Sequence, residues 1–392
     1  MTVWDSLVGQ ESAVATLRDA AGAARRIVEG AQEGASTAQM THAWLITGPP
    51  GSGRSVAARA FAAALQCTGP QPGCGECRGC ETSLAGTNGD VLIQATDQSI
   101  IRVADVRSLV ERAYVAPSQG RWRVLIVEDA DRMQKEAANA LLKAIEEPPA
   151  RTVWLLCAPA TEDMIPTIRS RCRHLGLRIP PVETVADYLV RSDGLDPQVA
   201  LEAARAAQSH IGLARALAAD PEMRERRRTI VTAPLRVSSV GEAVFAAEDL
   251  LEAARAQADA RTVERDTAEK AELMRSLGME EGERIDPKLR SMVKQLEEDQ
   301  KRRGKRALTD ELDRAMIDLL SLYRDVLSIQ LWTGQQLVNG DLADTVSQIA
   351  QTTPPESTLV RIAAVEQARK RLQTNAAPQL VLESLMLQLL RA

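Results

Sequence analysis

Gly48-Pro49-Pro50-Gly51-Ser52-Gly53-Arg54-Ser55 reads as a phosphate-binding loop with one exchanged residue. It fits the Walker A pattern G-x-x-x-x-G-K-[ST] everywhere except at the lysine, where Arg54 stands. The glycines Gly48, Gly51 and Gly53 let backbone N–H groups wrap phosphates, and Ser55 is the residue type that holds Mg²⁺ there. Lysine at that position is a compact ammonium. Arginine spreads the same charge over a planar fork on a longer arm, so the exchange is not conservative in a cramped site. The loop keeps the shape of a nucleotide site and alters the residue that meets the phosphates. Two outcomes stay open: ATP or ADP held without turnover, or a loop that has become structural.

The flanks supply the context the motif needs. Residues 42–47 form a short apolar strand that runs into the loop, and residues 55–65 an Ala-rich helix that leaves it. Residues 91–95, 124–128 and 153–158 are further short apolar strands, and residues 134–146 a helix stopped by Pro148-Pro149. Alternating strands and helices predict a parallel α/β sheet. After Pro180-Pro181 the pattern turns helical, with helices expected at 182–189, 197–208 and 212–219, and helical sequence again from about 230 to the end. This predicts an α/β domain over 1–180, a small helical module over 181–225 and an all-helical domain over 226–392. Residues 252–306 are dense in both charge signs and read as long solvated helices, interrupted at 278–282 and at Asp286-Pro287. The basic run Lys301-Arg302-Arg303-Gly304-Lys305-Arg306 reads as a solvated helix end rather than a nucleic-acid contact.

Four of the six cysteines, Cys67, Cys74, Cys77 and Cys80, cluster as C-x6-C-x2-C-x2-C with glycines between them. Four soft ligands in one closed set suit structural Zn²⁺ in a zinc module over 67–80, with no open position for catalysis. A disulfide pair and a [4Fe–4S] cluster use the same residues and remain rivals. Cys157 and Cys172 read as small buried hydrophobes, Trp122 and Trp154 as core, and the three histidines as scattered.

Length and composition set wide bounds. At 392 residues the chain has room for two or three domains, and 3% aromatic content with abundant alanine favours helices. A net charge of −5 gives no overall attraction to nucleic acid, so any DNA contact needs a local basic patch. The opening Met1-Thr2-Val3-Trp4-Asp5 lacks the pattern of a signal peptide, and no apolar run is long enough to cross a bilayer. The expectation is a cytoplasmic chain without membrane contact.

A working nucleotide site needs acids at the end of a second strand, one for Mg²⁺ and one to polarise the attacking water. Residues 124–127 lead into Glu128-Asp129, the reverse of the Asp-Glu order of an active motor. Each carboxylate is thereby displaced by about one methylene, which matters where reacting atoms must be placed within a fraction of an ångström.

Together the loop, the four cysteines after its helix, Ala140-Leu141-Leu142-Lys143-Ala144-Ile145-Glu146-Glu147-Pro148-Pro149, and Ser170-Arg171-Cys172 resemble the bacterial clamp-loader branch of the AAA+ proteins. The resemblance covers residues 4 to about 218 and includes Val8-Gly9-Gln10 and Gly212-Leu213-Ala214-Arg215. It implies a RecA-like AAA+ domain with an inserted zinc knuckle, then a helical lid and a helical collar. It further implies that Arg171 acts in trans as an arginine finger on a neighbouring ATP site, and that Arg215 is the lid's sensor arginine. The implied partners are the ATPase subunits, the delta subunit, the sliding clamp and primed DNA. Arg54, Glu128-Asp129 and Cys157-Ala158-Pro159-Ala160 depart from the motor subunits of that branch, and all three weaken hydrolysis. The expectation is a subunit with a decayed site of its own and a retained finger. The alternatives are a divergent gamma/tau-like motor in which Arg54 replaces lysine, and a helicase-like or repair AAA+ protein acting alone. The charged stretch 252–306 has no counterpart in the resemblance.

Overall fold

Five short strands build one parallel sheet, and three of them are buried throughout. The structure, a computed structural model, describes residues 2–30, 38–94, 100–118, 121–276, 290–374 and 376–391, apart from the side chains of 261, 276, 290, 291 and 295. The chain divides into two compact units, Met1–Arg215 and Ala216–Ala392.

The first unit begins with a 3₁₀ turn, Val3–Ser6, and α1 (Glu11–Val28). Then follow β1 (Ala43–Thr47), α2 (Arg54–Gln66), α3 (Arg78–Leu84), β2 (Val91–Gln94), α4 (Val103–Ala113), β3 (Arg123–Val127), α5 (Lys135–Glu146) and β4 (Thr152–Ala158). It closes with α6 (Pro166–Arg169), β5 (Arg173–Gly176), α7 (Val182–Asp193), α8 (Pro197–Ala206) and most of α9 (Ile211–Ala219). The sheet order is β2-β3-β4-β1-β5 with every pairing parallel. The strand leading to the phosphate loop is therefore flanked by β4 and β5, and β4 separates it from the acid strand β3.

Side-chain alternation explains the two-sided core. Trp44, Ile46, Val124, Ile126, Val153 and Leu155 face α1, α2 and the cysteine loop. Ala43, Leu45, Leu125, Val127, Trp154 and Leu156 face α4 and α5. Successive strand residues point to opposite faces, so strands buried on both sides must be apolar throughout, as β1, β3 and β4 are.

The second unit is helical. It holds α10 (Pro221–Thr232), α11 (Val240–Ser276), α12 (Arg290–Gln330), α13 (Ala343–Thr352), α14 (Pro355–Leu372) and α15 (Pro378–Arg391). Its core joins Ala247, Leu250 and Leu251 of α11 to Leu319 and Tyr323 of α12, Val365 of α14, and Leu382 and Leu385 of α15. A buried polar network ties α10 to α12. Arg227 donates from Nε to Asp318 at 2.9 Å and from Nη2 to Asn339 at 2.8 Å. Asn339 in turn donates from Nδ2 to Asp325 at 2.9 Å.

Long charged helices do occur where the sequence predicts them, and they pair with each other. Arg303 of α12 donates to both carboxylate oxygens of Glu269 on α11 (2.9 and 2.6 Å), and Lys270 pairs with Glu297 at 3.5 Å. The basic run does not end a helix. It lies inside α12, where Arg302 pairs with Asp299 and Arg306 with Asp310. The expected interruptions at 278–282 and Asp286-Pro287 fall outside the described residues, as does the last residue of the strand expected over 91–95. Among the described residues, no helix is long and apolar enough to cross a membrane.

Candidate functional site

The phosphate loop leaves the C-terminal end of β1, the edge of a parallel sheet where α/β folds place their ligands. Gly48 donates its N–H to the carbonyl of Pro159 at 3.2 Å, which ties the loop to the end of β4. A Cβ on Gly48 would lie 2.4 Å from Ser52 Oγ and 2.8 Å from the carbonyl oxygen of Leu177, so only glycine fits. Gly51 and Gly53 have φ of 87° and 89°, left-handed conformations that turn the chain into α2. Gln10 braces the loop from outside: its Nε2 donates to the carbonyls of Arg178 (2.6 Å) and Ser52 (3.4 Å).

Arg54 opens α2 and is half-buried. Its Nη1 is buried without a hydrogen-bond partner among the described residues, and so is Ser52 Oγ. The Arg54 charge acts on Asp131 and on Cys157. Burial raises the Asp131 carboxyl above its ordinary range and pushes the Cys157 thiol up to about 12, so Cys157 stays a neutral thiol. It pairs in register with Ile46 of β1.

Glu128 follows directly on β3 and turns toward α2. Arg59 donates to its Oε1 from Nη2 (3.1 Å) and Nε (3.3 Å). Asp129 follows at φ 53°, with Arg132 3.8 Å away. The two acids are therefore together at the sheet edge, and the one expected to serve the metal is held by an internal cation. Sequence reasoning missed Arg59. Its only signal is its place one turn into the helix after the loop.

The two distal arginines lie elsewhere. Arg171, exposed after α6, forms an ion pair with Glu146, Nε to Oε1 at 2.5 Å, and donates from Nη1 to the Thr167 carbonyl at 2.8 Å. Arg215 makes a two-pronged pair with Asp193, Nε to Oδ2 at 2.6 Å and Nη2 to Oδ1 at 3.2 Å. The hydrogen bond from Arg215 holds the Asp193 carboxyl below its usual range. The residue that meets the loop is instead His210, at the start of α9: a Cβ on Gly51 would lie 3.0 Å from His210 Cβ.

The four clustered cysteines converge. Cys67 Sγ lies 3.6 Å from Cys74 Sγ and 3.9 Å from Cys77 Sγ, Cys74 Sγ lies 4.0 Å from Cys80 Sγ, and all four sulfurs lie within 4.8 Å of one another. Sulfurs about 2.3 Å from a tetrahedral zinc sit about 3.8 Å apart, so the cluster fits such an ion. Burial alone would raise the Cys77 thiol, but the N–H groups of Thr68 and Cys80 outweigh it and bring it to about 5. Backbone hydrogen bonds likewise lower Cys67 against its burial, whereas burial raises Cys80. A metal-ready thiolate is already favoured at Cys77.

Known proteins resemble the chain along both units. The family described as "DNA polymerase III, delta subunit" matches residues 23–181, and the one described as "DNA polymerase III, delta subunit, C terminal" matches residues 306–391. DNA polymerase III subunit delta' of Pseudomonas aeruginosa is 37% identical over 169 residues, 42% of this chain and 52% of that protein. DNA polymerase III subunit gamma/tau of Mycobacterium tuberculosis is 35% identical over 188 residues, 47% of this chain and 30% of that protein. The chain thus spans about half the length of the first relative and under a third of the second. Subunit delta' of Bacillus subtilis is 25% identical over 354 residues, 90% of this chain and 91% of that protein.

Proposed function

We propose, from the premise that this chain belongs to the DNA polymerase III delta' family, that it serves as a clamp-loader subunit in DNA replication. In this reading it joins the ATPase subunits and the delta subunit in loading the sliding clamp on primed DNA. Residues 1–180 are its AAA+ domain, 181–225 its lid and 226–392 its collar.

The observation that carries this reading is the contrast between Glu128 and Arg171. Glu128, the acid at the end of the second strand, is engaged by Arg59, while Arg171 stands at the surface. A chain that has given up its own hydrolysis and kept a surface arginine suits a subunit that completes a neighbour's site. Phosphate groups still fit the loop, because Gly48, Gly51 and Gly53 keep its shape and the buried Arg54 Nη1 and Ser52 Oγ have no hydrogen-bond partner among the described residues. ATP or ADP bound there is a static ligand. Ser55 and Asp129 line the same edge, and Arg215 contributes only if it leaves Asp193. Cys67, Cys74, Cys77 and Cys80 hold a structural Zn²⁺, favoured over iron–sulfur by the closed single-ion fit of the four sulfurs.

The test is DNA-stimulated ATP hydrolysis by a reconstituted loader carrying Arg171→Ala in this chain alone. The expected result is a loss of about 10³-fold or less, since a trans arginine finger is worth 10³ to 10⁵ in GTPases and a shared ring dilutes it. Undiminished hydrolysis overturns the finger.

A further inference from the structure

The geometry points to Glu146 as a positioning residue that aims Arg171, an inference that rests on reading Arg171 as a trans arginine finger. Three contacts fix the guanidinium. Thr167 and Ser170 accept from Nη1 at 2.8 and 3.2 Å, but both belong to the turn that carries Arg171 and move with it. Glu146, whose Oε1 is ion-paired with Nε at 2.5 Å, belongs to α5. That helix is seated against the sheet by Leu141, Ala144 and Ile145, all fully buried. Glu146 therefore refers the finger to the sheet core, while the other contacts refer it only to its own loop.

Charge and direction agree with this role. Glu146 is the last residue of α5, where the unsatisfied carbonyl ends already favour a cation. Its carboxylate takes the Nε edge and the Thr167 carbonyl takes Nη1. Nη2 is left without a partner among the described residues, the group that a phosphate oxygen on a neighbour can accept from. Both side chains are well exposed, at 39% and 44%. Such a pair adds little to folding, so its purpose is not stability. A long arginine side chain held in one orientation loses less freedom when it docks, and a finger misplaced by a fraction of an ångström loses rate steeply.

The experiment compares loaders reconstituted with this chain as wild type, Glu146→Ala, Glu146→Gln, Arg171→Ala and the Glu146→Ala/Arg171→Ala double variant. The readout is DNA-stimulated ATP hydrolysis, with kcat and KM for ATP resolved. Glu146→Ala should lower kcat by about tenfold and leave KM unchanged, because the contact matters only when the finger reaches the reacting phosphate. Glu146→Gln, which keeps the reach and an accepting oxygen, should recover most of the rate. The double variant should be no slower than Arg171→Ala, and the isolated variants should melt as wild type does. Wild-type or faster hydrolysis by Glu146→Ala, or losses that multiply in the double variant, overturns the positioning role while leaving the finger intact. Normal hydrolysis by Arg171→Ala removes the finger reading and this inference together.

Discussion

Arg59 and Glu128 form an ion pair across the loop-bearing end of the sheet, 69 positions apart in sequence and 3.1 Å apart in space. It brings the first acid after β3 to the helix that follows the loop, where Arg59 is 39% and Glu128 17% exposed. A carboxylate so engaged is less available to order a metal-bound water.

Restoring the missing lysine should therefore not restore a motor. Arg54→Lys leaves Arg59–Glu128 and the neutral Cys157 thiol in place, and the purified chain should show no ATP turnover above background. Turnover comparable with a gamma/tau subunit would show that the loop was the only lesion and would favour the motor reading.

Cys77→Ser should lose metal. Protein prepared without chelator should carry about one zinc per chain, and the variant well under half of that, as expected when one of four tetrahedral ligands is removed. The check is metal analysis beside a melting curve, which should shift down. A wild-type chain free of zinc, or one with the visible absorption of iron–sulfur, would remove the assignment.

Arg227→Ala should be the costlier kind of charge removal. Arg227 and Asp318 are 10% and 7% exposed, and cutting one partner leaves a buried carboxylate uncompensated. The expected destabilisation is about 3–5 kcal/mol, measured by denaturant unfolding of the full chain. A loss below about 1 kcal/mol, the range of surface pairs, would mean that the network is solvated.

Acid should loosen the α11–α12 pairing at Glu269. Hydrogen bonds from Arg303 lower its carboxyl from 4.5 to about 2. The folded chain thus binds this proton less readily than the unfolded one. The contribution is complete above pH 4.5 and is lost as pH falls through about 2. Because Glu269 is 30% exposed, the effect is modest. Carbon-13 titration of Glu269 should give a midpoint near 2 in the wild type and a higher one in Arg303→Ala, where Arg265 still donates to Oε1; equal midpoints would refute the pairing.

What could be read from sequence was what depends on neighbours in sequence. The strand before the loop, the helix after it, the acid strand and the cysteine spacing are local patterns, and each lies within a residue or two of its expected bounds. The edge strand β5 went unread because Arg173 and His174 carry no strand signature. Only pairing with Trp44 and Leu45 of β1 makes them one. Arg59 and Glu146 were unreadable for the same reason, since each acquires its role from a residue far along the chain. Arg215 shows the converse: its motif marks a helix position correctly but is silent about Asp193, which becomes its partner through the packing of α7 and α9.

The cysteine loop also reaches back to the first residues of the chain. Val3 donates its N–H to the carbonyl of Gly73 at 3.0 Å, and Trp4 donates from Nε1 to that of Pro72 at 3.1 Å, across 68 positions. Arg25 donates to the carbonyls of Pro70 and Cys67. The seat is exact enough that a Cβ on Gly73 would lie 2.6 Å from Trp4 Nε1. During synthesis, then, Val3 and Trp4 cannot take this seat until residues some seventy positions later have emerged and closed. A cysteine loop that failed to close would be felt far away in sequence, at Trp4, as an unburied indole.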